Sequence, residues 1–501
     1  MATFKPPYYP IIYVRGFAMT RNEIESTAAT PYMGFNLGAT KARQLWTGEV
    51  RRHYFESPLI RLMKDHHYQD AYLQGQLRQD NLPARTVFIH RYYDEADHDF
   101  GSGRRPSILE AAHSLRQLIA DARQAICGND AGARREFRVH LVAHSMGGLI
   151  CRTLLQNEAL RDSAEAGCVD KVFTYATPHN GIEMAGFNVP RFLGIWDINN
   201  FNRRNMAEDL SLGRHDNVAT LDGHFDPNRF FCLIGTNHRD YDVAFGLSAK
   251  GAGEMSDGLV RITHAAVRHA PRAYVHRAHS GPFGIVNSEE GYQNLTRFLF
   301  GDVRADAILE LDRLPLPPSV QRAMGAGRQV RASYWFEASV APRPAEGDDN
   351  SYYLTERRKT NYSAVLRRYD EMMQPDRAGL DEPRWPYLFS VFLDTGRIVR
   401  GSTLVFTVEL TVSATEYEID GFLFFDRTIP GEHLYRDTLC IRATQGNDGW
   451  RVRCNHTDEE WGEKRGSEAE AVDGGYRIAL SNRKGFSGSL LIRLHNQEPP
   501  Q

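Results

Sequence analysis

One short segment constrains the fold of this chain more than any other: a serine lies between small residues where an apolar run meets a helical pattern. The apolar run is 137–142, the serine stands in Ala143-His144-Ser145-Met146-Gly147-Gly148, and the helical pattern covers 149–160. Strand, tight turn and helix in this order form a layout in which a serine hydroxyl projects over the end of a sheet. The turn needs small residues on both sides of the serine, and Ala143 and Gly147 supply them. The segment therefore predicts a nucleophile elbow centred on Ser145.

Segments of strand and helix character alternate over residues 1–300. Short β-rich apolar runs lie at 9–14, 86–90, 172–176, 230–234 and 273–276, and helical spacing marks 108–126 and 288–300. This alternation predicts the α/β class, a mostly parallel sheet covered by helices on both faces. At the start of the last of these helices, Asn287 and Glu290 have the spacing of a capping box.

A second part, rich in β-strand signals, begins after about residue 305. The proline-rich segment 314–318 predicts a stiff connector. Apolar residues alternate with more polar ones over 404–412 and 490–494, which is typical of antiparallel sheets with one buried face. We therefore expect an α/β domain over 1–304 and an all-β domain, a β-sandwich, over 305–501.

The composition limits the classes of partner and cofactor. The chain has 60 basic and 63 acidic residues, a net charge of −3, which argues against nucleic-acid binding by bulk electrostatics. Six cysteines in 501 residues make no disulfide framework, although Cys440 and Cys454 flank a turn and a bridge between them across two strands stays open. No glycine-rich phosphate loop accompanies a first strand, so we expect no nucleotide or redox cofactor.

The beginning of the chain carries no recognisable export signal. Residues 1–7 lack the apolar core of a secretory signal, and no apolar stretch is long enough to span a bilayer. We therefore expect a cytoplasmic protein, with export by a signal-independent route as the alternative.

Two groups of acidic and histidine residues invite comparison with zinc sites. They are Asp65-His66-His67, and His90 with Asp94, Asp97 and His98. Neither has the compact spacing of a structural zinc site, so no bound metal is expected.

A serine nucleophile needs a base, and the base needs an acid that orients it. In folds with this elbow the acid and then the histidine follow the serine along the chain, in loops at the ends of strands. Asp257 follows the apolar run at 230–234 and can accept the imidazole N–H, while His279 follows the run at 273–276 and can take the proton of Ser145. The open alternatives are Asp240, Asp242 and Glu254 for the acid and His276 for the base.

Attack by a serine places negative charge on a carbonyl oxygen, which needs two backbone donors. The N–H of Met146, at the start of the helix after the serine, is the first predicted donor. Gly16 follows the first apolar run and lets the backbone come close, so the N–H of Phe17 is the second predicted donor. An ordinary glycine between strand and loop is the alternative interpretation of Gly16.

Four motifs in the first 300 residues carry a resemblance to a known superfamily. They are Val14-Arg15-Gly16-Phe17, Ala143-His144-Ser145-Met146-Gly147-Gly148, Thr177-Pro178-His179-Asn180-Gly181 and Ser256-Asp257-Gly258-Leu259-Val260, with His279 after the last. Together they resemble the bacterial lipase and esterase group of the α/β-hydrolase superfamily, and also lipid deacylases and lipase effectors of type VI secretion. The resemblance covers residues 10–300 in patches. It implies an α/β-hydrolase fold and a serine hydrolase that cleaves carboxylic esters without a cofactor.

Two positions depart from that family. Arg15 stands where the family usually has histidine, which keeps the backbone donor but changes the neighbouring hydrogen bonds. Gly281 stands where calcium-dependent lipases have an aspartate, so the resemblance does not carry a calcium site to this chain.

Two insertions, at about 19–81 and 181–228, predict caps over the site. Their apolar residues include Tyr32, Met33, Phe35, Leu37, Trp46, Phe187, Val189, Phe192, Leu193, Ile195 and Trp196. Such residues either line an acyl-chain pocket that opens at a lipid surface or form the core of the caps themselves. We expect an ester or lipid substrate with an apolar acyl chain, and contact with a membrane surface is an expectation of the same kind.

Two other classes of function fit the same residues. An amidase or an acyltransferase would use the same triad with a different substrate or acceptor. Alternatively, the protein is a delivery module that binds a lipid or a partner through its β domain. The oligomeric state is not readable from the sequence.

Overall fold

The structure is a computed structural model of the 501-residue chain. It describes residues 4–16, 39–44, 50–73, 76–78, 82–92, 106–182, 202–240, 255–281, 283–342, 354–355, 365–373, 384–398, 402–419, 427–457, 459 and 466–497. The chain divides into two compact units, Met1–Phe300 with Pro499–Gln501, and Gly301–Glu498. The expected boundary after residue 304 lies within the first strand of the second unit, which begins at Val303.

The first unit is built on a parallel sheet. Its described strands are β1 Ile11–Val14, β2 Ala39–Gln44, β3 Val50–Phe55, β4 Gln69–Asp70, β5 Tyr72–Leu73, β6 Gln76–Leu77, β7 Thr86–His90, β8 Val139–His144, β9 Val169–Tyr175, β10 Phe230–Gly235 and β11 Arg272–Val275. Seven of them form a sheet in the order β11-β10-β9-β8-β1-β7-β4, with every neighbouring pair parallel. All residues of β1, β7, β8, β9 and β10 are buried, as in a parallel sheet covered on both faces. The α/β prediction is confirmed.

Helices follow several of these strands. Those described in the first unit are α1 Ser57–His66, α2 Ile108–Cys127, α3 Ala131–Glu136, α4 Met146–Gln156, α5 Arg203–Asp209 and α6 Glu289–Phe300. Helix α2 begins with a capping box in which Ser107 accepts from the backbone of Glu110 and the Glu110 carboxylate accepts from the backbone of Ser107. No helix in the described ranges is long and apolar enough to cross a membrane.

The predicted capping box at the start of α6 is wrong by one residue. Ser288 Oγ accepts from Gly291 N at 2.9 Å, so Ser288 supplies the cap. Asn287 Oδ1 instead accepts from Ser57 N at 3.1 Å, a contact between residues far apart in the sequence. The Glu290 carboxylate pairs with Arg277 rather than with the cap backbone.

The second unit consists of antiparallel sheets. Its described strands are β12 Val303–Arg313, β13 Val330–Pro342, β14 Val365–Arg368, β15 Tyr387–Leu393, β16 Thr403–Ile419, β17 Arg427–Pro430, β18 His433–Gly446, β19 Gly449–Asn455, β20 Ser467–Glu468, β21 Glu470–Val472, β22 Gly475–Ser481 and β23 Ser487–Asn496. One sheet has the order β15-β12-β23-β22-β21, and the other has the order β14-β13-β16-β18-β19-β20 with β17 beside β16. Short helices α7 Pro318–Gly325 and α8 Tyr369–Met373 accompany them.

The two antiparallel sheets share one apolar core. Alternate residues of β16, among them Phe406, Val408 and Leu410, are buried, which is the period-two pattern of the sequence. The same core includes Leu309 of β12 and Ile492 of β23 from the other sheet. The all-β prediction is confirmed, with the two sheets packed as a sandwich.

Two expectations about the second unit are corrected. Residues 314–317 lie between β12 and α7, inside this unit, so they do not connect the two units. In the pairing of β18 with β19, Cys440 stands opposite Asn455 and Ile441 stands opposite Cys454. The two cysteines therefore point to opposite faces of the sheet, and both are free.

Parts of the two predicted cap insertions are described. Within 19–81, the hairpin β2–β3 precedes α1, and β4 pairs with β7 as the edge strand of the parallel sheet. Within 181–228, α5 is described. The apolar residues named for both caps, from Tyr32 to Trp46 and from Phe187 to Trp196, lie outside the described residues.

Candidate active site

Ser145 occupies a strained turn between β8 and α4. Its backbone has φ 52° and ψ −123°, a region that side-chain-bearing residues rarely adopt. Ser145 N donates to Tyr175 O at 2.9 Å, and Thr177 Oγ1 donates to Ser145 O at 2.9 Å, so both backbone polar groups of the residue are held. This geometry is that of the predicted nucleophile elbow.

The turn depends on close backbone packing. A Cβ on Gly16 would lie 2.7 Å from Ser145 Cβ, and a Cβ on Gly147 would collide with the carbonyl group of Val14. Residues 14–16, at the end of β1 and directly after it, therefore lie beside Ser145. Gly16, which the sequence predicted as a point of close approach, does lie close to the side chain of Ser145 and to the backbone carbonyl of His144.

The side chains of Ser145, His279 and Asp257 form a continuous hydrogen-bonded chain. His279 Nε2 lies 3.0 Å from Ser145 Oγ, and His279 Nδ1 lies 2.9 Å from Asp257 Oδ2. All three residues are buried. Because a carboxylate only accepts hydrogen bonds, Nδ1 carries the proton, and Nε2 is left to accept from the serine hydroxyl.

Backbone groups fix the acid in place. Asp257 Oδ1 accepts from Leu259 N at 3.0 Å and from Val260 N at 2.7 Å. His279 N donates to Asp257 O at 2.9 Å, so the acid and the base are joined through the backbone as well as through their side chains. Oδ1 of the carboxylate is therefore satisfied by backbone N–H groups, and Oδ2 is directed at the imidazole.

The described alternatives for the acid and the base contact other residues. Asp240 accepts from the side chain of Asn237 at 2.6 Å, and His276 contacts Thr236 Oγ1 at 3.5 Å. Asp242 and Glu254, the other rivals for the acid, lie outside the described residues. Among the described candidates, His279 and Asp257 are the ones brought to Ser145.

The two predicted oxyanion donors differ in what the structure describes. Met146 is the first residue of α4, where backbone N–H groups have no acceptor within the helix. Phe17, the second predicted donor, lies outside the described residues, which end at Gly16 on this side of the loop.

His144 is a contributor that the sequence did not single out. Its Nε2 donates to the backbone carbonyl of His279 at 3.0 Å, and the two rings lie 5.1 Å apart. Burial, then the neighbouring His279 and Arg15, lowers the pKa of His144 well below its ordinary value. A neutral His144 can therefore hold the His279 loop without adding charge beside the base.

Arg15, the departure from the family pattern, has an acidic partner. Arg15 Nε lies 3.2 Å from Glu56 Oε1, and both side chains are buried. Tyr13 OH donates to Glu56 Oε2 at 2.6 Å. Glu56 stands far from Arg15 in the sequence and has no motif around it, so no sequence signal pointed to it.

The groups compared with zinc sites have other partners. Asp65 Oδ2 accepts from Tyr292 OH at 2.8 Å, and the His66 ring lies 4.7 Å from the Phe300 ring. Asp94, Asp97 and His98 lie outside the described residues. Within the part of the chain that is described, no group of histidine, cysteine or acidic residues has the arrangement of a metal site.

The parallel sheet, its helices and the serine turn after β8 define the class of protein: the first unit has the α/β-hydrolase fold. Residues 8–218 match the family described as PGAP1-like alpha/beta domain, and this part of the chain is similar to that family. No curated protein and no solved structure matches the chain.

The matched range covers less than half of the chain. It includes Ser145 and Met146 and ends before Asp257 and His279. The similarity indicates a hydrolase with esterase-like activity. The bacterial lipase and esterase group stays a resemblance of short motifs.

Proposed function

We propose that the protein is a serine hydrolase that cleaves carboxylic esters with Ser145, His279 and Asp257 as its triad. The observation that carries this proposal is the chain of short contacts, 3.0 Å from serine to histidine and 2.9 Å from histidine to aspartate, at a strained serine. Each contact is within the distance that proton transfer requires. The esterase-like similarity of residues 8–218 supports the same class of reaction.

The proposed reaction follows from the positions of these atoms. His279 Nε2 takes the proton of Ser145 as Oγ attacks the ester carbonyl, and Asp257 stabilises the imidazolium that forms. The N–H of Met146 donates to the oxyanion, with the N–H of Phe17 as the proposed second donor. The alcohol leaves with the proton from His279, and a water activated by His279 then releases the acid from the acyl-enzyme.

The proposed substrate is an ester or lipid with an apolar acyl chain. The proposal includes lipase and phospholipase activity, and contact of the protein with a membrane surface. No cofactor enters the proposed reaction. An acyltransferase would use the same residues and pass the acyl group to an alcohol or amine, and an amidase would cleave an amide. Added acceptor alcohol and matched amide substrates separate these outcomes from ester hydrolysis.

The test compares p-nitrophenyl esters of increasing acyl length in the wild type and in Ser145→Ala, His279→Ala and Asp257→Asn. We expect kcat to fall by about 10⁴-fold or more, because members of a triad act as one unit. The matched controls are His276→Ala and Asp240→Asn, which should retain activity. A fluorophosphonate should label Ser145 in the wild type, detected by mass spectrometry.

Two results would refute the proposal: full activity of Ser145→Ala, or a wild type that neither cleaves any ester nor reacts with the fluorophosphonate. In the second case the β domain and its partners would become the place to look for function.

A further inference from the structure

We propose that Arg15 and Glu56 form a buried positioning pair that holds Gly16, directly after β1, against Ser145. The inference rests on the proposed function, because the position of Gly16 matters to catalysis only if Ser145 is the nucleophile. The pair is 3.2 Å apart, with Arg15 5% and Glu56 1% exposed. Breaking a buried ion pair leaves an uncompensated charge, so the two residues keep one arrangement.

The carboxylate of Glu56 is held by two side chains of the same strand end. Tyr13 and Arg15 stand two positions apart, and alternate residues of an extended chain point to the same side. Tyr13 OH donates to one oxygen of Glu56 at 2.6 Å, and Arg15 Nε approaches the other. Burial, followed by the neighbouring Glu56, raises the pKa of Tyr13, so its hydroxyl remains a donor. The direction of the Arg15 side chain is thereby fixed relative to β1.

The backbone of Arg15 is tied down as well, and it leads directly to the serine. Tyr92 OH donates to Arg15 O at 2.8 Å. The next residue, Gly16, packs so closely on the elbow that an added Cβ would lie 2.7 Å from Ser145 Cβ. A shift of Arg15 is therefore passed to Gly16, and through it to the peptide whose N–H is the proposed second oxyanion donor.

Glu56 is anchored at its other side by the start of α1. Its carbonyl accepts from Leu59 N at 2.9 Å, and the next residue, Ser57, donates its N–H to Asn287 Oδ1 at 3.1 Å. Asn287 follows the loop that carries His279. The Arg15–Glu56 pair and the start of α1 thus connect the residues beside Ser145 to the segment that follows His279.

A role in positioning predicts a change in catalysis that a loss of stability alone would not produce. In Glu56→Gln and Arg15→Lys we expect kcat for a p-nitrophenyl ester to fall about tenfold or more with KM changed less than about twofold, because small displacements of an oxyanion donor are costly. Affinity for a trifluoromethyl ketone, whose adduct with serine carries an oxyanion, should fall by the same factor as kcat/KM.

The matched controls are Asp170→Asn and Arg229→Lys. Asp170 is a buried acid near the beginning of β9, at the opposite end of the strands from Ser145, and its carboxylate pairs with Arg229. These substitutions repeat the chemistry of the test variants away from the elbow. They should lower the melting temperature while leaving kcat and the ketone affinity unchanged.

The outcomes separate this inference from the proposed function. Wild-type kcat and ketone affinity in folded Glu56→Gln and Arg15→Lys would overturn it, as would equal losses in the Asp170 and Arg229 controls. If Glu56→Gln does not fold, Tyr13→Phe removes only the hydroxyl that holds Glu56 and should lower kcat several-fold; a wild-type kcat there also counts against the pair. A wild type with no ester hydrolysis and no labelling of Ser145 would refute the proposed function, and this inference with it.

Discussion

The strained backbone conformation of Ser145 depends on the close packing around it. A residue held at φ 52° costs about 1–3 kcal/mol and persists only when its surroundings determine it. Here Gly147 lies against the carbonyl of Val14, and Gly148 lies against the side chain of Thr177, whose hydroxyl donates to Ser145 O. The missing Cβ atoms allow the turn to sit this close to its neighbours.

Adding one methyl group at Gly147 tests that dependence. The new Cβ in Gly147→Ala would collide with a backbone carbonyl, which cannot rotate away as a side chain can. We expect the free energy of unfolding to fall by about 1–3 kcal/mol, the usual cost of overpacking, and kcat to fall with it. The control is Gly213→Ala, where nothing lies within 4 Å of the new Cβ, measured by urea denaturation and ester hydrolysis. Unchanged stability of Gly147→Ala would contradict this account of the elbow.

Single residues of the candidate site differ in how far the sequence could predict them. Ser145 has a local signal, because the turn requires small residues nearby, and Asp257 and His279 follow from chain order and strand ends. Whether those residues are catalytic stays a prediction until the variants are measured. Glu56 had no signal, because its contact with Arg15 depends on how a distant helix packs.

Helix α4 begins directly after the serine, and a side chain in its second half binds the segment that follows β9. Arg152 is fully buried on this helix and donates to three backbone carbonyls, those of His179, Val218 and Thr220. These carbonyls lie on both sides of the part of 181–228 that is not described. One side chain therefore holds residues on both sides of 183–201 to the helix that begins directly after Ser145.

Replacing that side chain should loosen the segment. In Arg152→Met the carbonyls of His179 and Val218 lose this donor, whereas Thr220 O keeps the bond from Gln156 Nε2. Each buried acceptor left unsatisfied costs about 1–3 kcal/mol. We expect unfolding free energy to fall by about 2–4 kcal/mol and proteases to cut within 202–220 at lower concentration. Arg161→Met is the control, since Arg161 on the following turn is partly exposed. Equal protease resistance in the two variants would argue against an anchoring role for Arg152.

The elements show where local sequence signals stop. The helix predicted over 149–160 runs instead over Met146–Gln156. Glycine is a poor helix former, so the sequence did not predict the first turn of this helix, which contains Gly147 and Gly148. Close packing requires glycine at both positions. Leu160 is buried, but it lies in the turns that follow the helix. Because it is apolar, it extended the predicted helical pattern beyond the end of the helix. Ser288 caps α6 instead of the predicted Asn287, because the side chain of Asn287 accepts from the backbone of Ser57, which is distant in the sequence.

Across the whole molecule, the two units contain different kinds of buried titratable group. In the second unit, burial raises the pKa of Asp306, but hydrogen bonds from His495, Ser390 and Tyr387 and the charge of Arg304 outweigh it and leave the pKa below its ordinary value of 3.8. A carboxylate with a lowered pKa stabilises the fold above that value, and the stabilisation is lost as the pH falls below it. The sandwich should therefore respond to acid only at low pH.

The first unit should respond to acid sooner, because it buries neutral histidines. Burial lowers the pKa of His90 from 6.5 to about 3, and burial is also the largest cause of the lowered pKa values of His144 and His179. Below about pH 6.5 the unfolded chain then binds protons that the folded unit excludes, so stability falls with pH. Burial also lowers the pKa of His140 to about 3. The pKa of Asp209, raised to about 6 by burial, opposes the trend, but it is one group against these four histidines.

We therefore expect calorimetry between about pH 6.5 and 4.5 to show the first unit losing stability while the sandwich changes little. The contribution of His90 alone is about 2–3 kcal/mol over those two pH units, at 1.36 kcal/mol per unit. His90→Phe should make the loss less steep, because the variant removes a group that only the unfolded chain protonates. His113→Phe alters an exposed histidine and should leave the slope as it is. If the slope were the same in His90→Phe and in the wild type, burial of neutral histidine would not be the source of the acid sensitivity, and the burial of His90 at the end of β7 would have to be reconsidered.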